Sequence, residues 1–173
     1  MASSIFHVNF AGFATEIPAL MERTASLKAI YEQHSNRIYN LAFYLTDNEL
    51  TAEEISAHVF KNTFAVNSTP SGENLDCALV AELRSTMEIG NLTLDEPVAE
   101  QVSHARKNVK RAVLERALMQ VPATERLIFL LHDVEGYDHS RIARTLGINT
   151  DESKRGLHQA RLALRRGVTQ IKL

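Results

Sequence analysis

Residues 138–166 read DHSRIARTLGINTDESKRGLHQARLALRR, and this stretch predicts two helices joined by a tight turn. Asp138 supplies a short side-chain acceptor for the unpaired N–H groups of a first helical turn. Ile142, Ala143 and Leu146 give the first helix one apolar face. Gly147 follows, where a helix ends most cheaply in a left-handed conformation, and Ile148 fills the angle between the helices. Asn149 is a second cap, with Glu152 three residues later at capping-box spacing. The second helix carries Leu157, Ala160, Leu164 and Val168 at helical spacing, with Lys154, Arg155, His158, Arg161, Arg165 and Arg166 on its other sides. An ordinary helical hairpin with a solvated basic face has the same gross pattern. The agreement of the Gly-Ile turn, both caps and the one-sided cations favours a helix-turn-helix, whose second helix would lie in a DNA major groove.

Working outward, Pro122 and Thr124 start a buried helix, ERLIFLLHDV, which Gly136 ends. Before it, a helix from about Arg106 turns Val109, Val113 and Ala117 to one side. These four helices make up a C-terminal unit, 106–173. Nearer the N-terminus, Leu27, Tyr31, His34, Ile38, Leu41 and Leu45 step by four and three, an apolar stripe from Leu27 to Thr46 that faces a core. Asp47-Asn48 is a break. Thr51-Ala-Glu-Glu54 then has the spacing of a capping box, with Ile55, Val59, Phe60 and Phe64 inward and Glu53, Glu54 and His58 outward. Residues 67–72 are a loop by composition. A third helix follows, roughly Asp76 to Ile89, with Leu75, Leu79, Leu83 and Met87 spaced four apart and Glu82, Arg84 and Glu88 outside. Residues 91–105, short and acidic, are the linker candidate. Residues 1–24 form an N-terminal arm in which Phe6, Phe10, Phe13 and Ile17 allow a helix, Phe6, Val8 and Phe10 allow a strand, and Pro18 is expected to interrupt either one.

The chain of 173 residues has a net charge of −2. That balance hides an asymmetry, because residues 105–173 hold fourteen Lys/Arg against seven Asp/Glu and residues 25–90 hold four against nine. The split predicts two modules with different partners, a polyanion for the basic half and a basic protein surface for the acidic half. No apolar run is long enough to span a bilayer, so no membrane insertion is expected. The N-terminus lacks the order of a signal peptide. Cys77 is the single cysteine and suits a cytoplasmic, reducing setting; on an apolar helix it is expected to be a small core residue. No Gly-rich phosphate loop, metal-ligand pair at helical spacing or nucleophile elbow occurs, so neither an enzyme nor a cofactor is expected.

Two stretches together resemble the extracytoplasmic-function (ECF) family of RNA polymerase sigma factors. Residues 121–161, VPATERLIFLLHDVEGYDHSRIARTLGINTDESKRGLHQAR, are similar to that family's domain four. Residues 31–65, YEQHSNRIYNLAFYLTDNELTAEEISAHVFKNTFA, resemble domain two, including the run Ala52-Glu53-Glu54-Ile55 with Phe60 after it. The resemblance implies an all-α chain of two small helical domains, a sigma-domain-two-like bundle at 25–90 and a four-helix domain with helix-turn-helix at 106–173. It implies a factor that directs core RNA polymerase to promoter DNA and initiates transcription, commonly held by an anti-sigma protein. The polymerase-facing candidates are Glu53, Glu54 and His58. The DNA-facing candidates are Lys154, Arg155, His158 and Arg161, with Arg141 and Arg144 on backbone phosphates.

The chain departs from the family's pattern at several of these places. Ala57 and His58 stand where Gln and an acid are usual. The third helix carries Glu82 and Glu88 where aromatic and basic residues handle DNA, and carboxylates repel phosphates. Asp151 and Glu152 replace small neutral residues, Glu152 being an acceptor that suits a cytosine amino group, and Gly156 stands where Arg is common. These departures motivate an alternative, a sigma-like decoy that binds an anti-sigma protein rather than a promoter.

Overall fold

The computed structural model describes residues 10–93 and 109–171, with side chains from residue 20. Among the described residues there are seven α-helices and no strand. They are α1 (Phe10–Thr46), α2 (Glu49–Val66), α3 (Gly72–Thr86), α4 (Arg111–Met119), α5 (Ala123–Phe129), α6 (His139–Leu146) and α7 (Thr150–Gln170), with a π-helical turn, Leu130–Val134, continuing α5. α1 packs on α2 and α3, while α4, α5 and α6 pack on α7. The two sets meet where α3 touches α6 and α1 touches α5.

Local chemistry accounts for most helix ends, with some shifts from expectation. α1 runs through Pro18, because a proline removes one backbone hydrogen bond and bends a helix without having to stop it. Phe10 is helical, which leaves no strand ending there; residues 1–9 lie outside the described residues. Asp47 ends α1 in the left-handed region, at φ 53°, a conformation that short polar residues tolerate. α2 begins before Thr51, because Asn48 is the cap and its side chain accepts from the Thr51 N–H at 3.0 Å. α3 likewise starts earlier than Asp76. Ser71 and Asn74 form its capping box, so Gly72 belongs to the helix rather than to the loop.

The core is one contiguous cluster that crosses both sets of helices. Ile38, Leu41 and Leu45 of α1, Ile55 and Val59 of α2, and Leu75, Leu79 and Leu83 of α3 are buried, as their spacing predicts. They join Leu127, Ile128, Leu131, Ile142, Leu146 and Leu157 of the C-terminal helices. Tyr31 leaves the expected stripe and is half exposed, its ring meeting Phe60 edge-on at 4.8 Å between centroids. Cys77 is exposed, a correction to its expected core position: it falls on the side of α3 away from the Leu75–Leu79–Leu83 stripe.

Polar contacts also tie the halves. Arg126, half-buried on α5, donates to the backbone oxygens of Val121 at 3.0 Å and of Tyr44 in α1 at 3.1 Å. Glu125 is fully buried and accepts from the Thr93 N–H at 2.7 Å. The Gly90 N–H donates to Thr124 Oγ1 at 3.1 Å. The start of the segment expected to link the two units is therefore pinned to the first turn of α5, where a carboxylate also meets the positive end of the helix dipole.

Candidate nucleic-acid interface

α6, the turn and α7 are built as the sequence predicts. Asp138 caps α6, accepting from the Arg141 N–H at 2.7 Å. Gly147 takes φ 65°, and the Ile148 N–H returns to the Ala143 carbonyl at 3.1 Å. Asn149 accepts from the Glu152 N–H while Glu152 Oε2 accepts from the Asn149 N–H, both at 2.8 Å. That reciprocal box occupies the Glu152 carboxylate, which in sequence reads equally well as a cytosine-amino acceptor. Ile142, Leu146, Leu157 and Ala160 are buried and lock the two helices together. The outward face of α7 is thereby set by the packing of its inward one.

The candidate cations divide into three kinds. Arg155 and His158 are exposed on α7. Lys154 is exposed and meets Asp151 one turn earlier at 3.2 Å, a surface pair that a polyanion displaces at little cost. Arg161 is held by Asp133 through two hydrogen bonds, 2.9 and 2.6 Å. That fork pulls the Asp133 carboxyl below the usual carboxylate range. Asp133 lies in the π turn, where the Glu135 N–H closes onto the Leu130 carbonyl at 3.0 Å.

Arg141 lies elsewhere than the sequence suggests. Its guanidinium turns inward to Asp76 Oδ2 at 2.7 Å and stacks over the Tyr137 ring at 3.6 Å. Asp76 is buried on α3; its Oδ1 accepts from Arg37 at 2.5 Å and its Oδ2 also accepts from the Tyr137 hydroxyl at 2.9 Å. Burial and the neighbouring Asp76 push the Tyr137 phenol up to about 12. Arg144, exposed, sits 3.6 Å from Glu73 of α3. No periodicity announced this four-residue knot, because its members are far apart in sequence and Asp76 read as the start of a helix.

Gly156 is buried rather than aligned with the outward cations. A Cβ there would lie 2.6 Å from Ile128 Cδ1 and 2.8 Å from Leu92 Cδ2. Its glycine is explained by the close approach of α7 to α5 and to the 90–93 segment, not by a lost DNA contact. His139 Nδ1 lies 3.0 Å from Ser153 Oγ of α7, and its ring stacks on His132 with centroids 4.7 Å apart. Burial lowers the His139 pKa, and His132, Lys154 and Arg161 lower it further.

On the other half, Glu53, Glu54 and His58 are exposed on one helix, α2. Glu53 borders a groove of about 570 Å³ between α1 and α2, floored by Tyr31, Tyr39, Ala57 and Phe60. His58 lies 3.6 Å from Glu82, which also accepts from Asn62 at 2.9 Å. Glu82 therefore bridges α3 to α2 instead of standing alone on an outer face. Among the described residues no helix is long and apolar enough to cross a membrane.

Residues 111–164 match the family "Sigma-70, region 4". The chain is similar to the ECF RNA polymerase sigma factor SigE of Mycolicibacterium smegmatis, with 28% identity over 153 residues, covering 79% of this chain and 59% of that protein. The chain thus spans about three-fifths of that relative's length. Its fold is similar to that of the sigma factor RpoE crystallised with the anti-sigma factor NepR from Bartonella quintana, with a TM-score of 0.63 and 14% identity over 84% of this chain and 98% of that one.

Proposed function

We propose that this chain, which matches the sigma-70 region 4 family over residues 111–164 and is similar to an extracytoplasmic-function sigma factor, is itself an RNA polymerase sigma factor of that type, directing core RNA polymerase to a promoter and initiating transcription there, with no catalytic step of its own. The observation that carries this is the capped helix-turn-helix, whose second helix leaves Lys154, Arg155 and His158 on its open side. Cations at the start of a recognition helix reach base edges, while side chains of the preceding helix reach the backbone. Arg155 and His158 then read sequence and Arg144 fixes position. The unit 25–90 meets the polymerase through the exposed Glu53, Glu54 and His58, 91–105 links it to the DNA-reading unit 106–173, and 1–24 is an arm. The work is cytoplasmic. An anti-sigma protein is a natural further partner, as one is for the Bartonella sigma factor of similar fold.

A second reading, a sigma-like regulator that binds an anti-sigma protein and no promoter, is favoured by one observation: Arg141 and Arg161 are both held by carboxylates of the same chain. A pull-down with core polymerase followed by run-off transcription separates the two. Polymerase binding with specific initiation is expected; capture of a small regulator alone would put the second reading first.

A further inference from the structure

We propose that α3 acts as an internal substitute for DNA: Asp76 and Glu73 occupy Arg141 and Arg144 of the helix-turn-helix and latch the chain in a closed arrangement. The consequence for promoter binding rests on the sigma reading above; the latch itself rests on geometry alone. Asp76 and Glu73 are three residues apart on α3, and Arg141 and Arg144 are three apart on α6, so two like-spaced pairs meet face to face. The inner pair is half-buried, the Asp76 side chain 1% and the Arg141 side chain 34% exposed, with the two bonded at 2.7 Å. The outer pair is open to solvent at 3.6 Å.

Two further contacts complete the closure. Arg37 binds both Asp76 and the Tyr137 hydroxyl, at 2.5 and 2.7 Å, which ties α1 into the same knot. At the far end of α6, Arg84 donates to the Leu146 carbonyl at 2.6 Å and to the Ile89 carbonyl at 3.2 Å. A cation there also meets the negative end of the α6 dipole. Two of the α3 carboxylates, Glu73 and Asp76, thus face cations of the same chain, while Glu82 turns to α2.

The latch is built to release. Neither pair adds much net stability, because desolvation of Asp76 offsets the attraction at the inner one and solvent screens the outer one. The knot is also under-satisfied, since Arg37 Nη2 and Arg141 Nε are buried with no hydrogen-bond partner. A phosphodiester backbone offers acceptors to both Arg141 and Arg144 in exchange for Asp76 and Glu73. Closure lowers apparent DNA affinity by the fraction of molecules that are open.

The test uses the full chain with Cys77→Ser, carrying spin labels at Lys61→Cys on α2 and Thr169→Cys on α7, both exposed positions. Pulsed electron resonance should give one narrow distance distribution. Asp76→Asn and Glu73→Arg should each add a longer component, and Glu73→Arg with Arg144→Glu should restore the narrow one. Both single variants should bind a random-sequence duplex at low salt about fivefold or more tightly. If Asp76→Asn fails to fold, the surface variant Glu73→Arg carries the test. Folded variants with unmoved distances and unchanged duplex affinity would overturn the latch. Run-off transcription by the wild type with unmoved distances rejects the latch alone. Opening as expected without any run-off supports the latch and rejects the sigma reading.

Discussion

Gly156→Ala is the substitution whose sign is set most directly by the packing. In an open helix the change is favourable, because alanine exceeds glycine by about 0.8–1.0 kcal/mol in helix propensity. Here the new Cβ would stand 2.6 Å from Ile128 Cδ1 and 2.8 Å from Leu92 Cδ2. Ile128 is fully buried and cannot swing outward; Leu92 is half-buried and can yield. Overpacking of this kind costs about 1–3 kcal/mol. The balance is a net loss of about 1 kcal/mol, or about 2–4 °C in Tm for a chain of this size. Gly156→Val, with two more methyls in the same gap, should lose more. Gly156→Arg should lose most, since it also buries a charge. Thermal and urea denaturation of the three full-length variants measure this. A Gly156→Ala protein more stable than the wild type by about 1 kcal/mol would show that propensity alone acts there, and the account of why this helix carries glycine would fail.

Arg155→Ala should cost about 1–3 kcal/mol on the preferred duplex and almost nothing on random sequence, whereas Arg144→Ala should weaken both and reduce the salt dependence by about one log–log unit; binding titrations at several salt concentrations measure the two. Charge reversal at the exposed Glu53 should weaken capture of core polymerase without moving the melting temperature, and unchanged capture would show that the docking face lies elsewhere. His139 makes stability depend on pH: its folded pKa is lowered from 6.5, chiefly by burial, so the unfolded chain takes up a proton first. Its contribution is complete above the unfolded value and falls as pH drops below it, and His139→Gln should flatten that part of the pH–stability curve in urea melts. Asp133, lowered from 3.8 chiefly by its Arg161 hydrogen bond, adds stability above its unfolded pKa that is lost only in stronger acid, as pH falls through its folded value; Asp133→Asn should remove this acid-limb loss.

What can be read from the chain without its structure is whatever depends on neighbours three or four residues apart. Both caps of the helix-turn-helix, the left-handed Gly147 and the buried Ile142, Leu146 and Leu157 are of this kind, and so is the stripe of α1. The early starts of α2 and α3 were also locally encoded, in Asn48 and in Ser71 with Asn74, but stronger-looking signals beside them, Thr51 and the glycine of a loop-like segment, masked them. Tertiary structure decided the rest. Asp76 bonds to residues 39, 61 and 65 positions away, and Arg161 to one 28 away. In sequence Asp76 reads as a helix start and Arg161 as a DNA-facing cation, because a helical wheel shows which face a residue occupies and not what is brought against that face. Whether Arg141 meets phosphate or carboxylate, and whether Gly156 is open or crowded, depends on how helices distant in sequence pack on one shared core, which periodicity within a single helix does not encode.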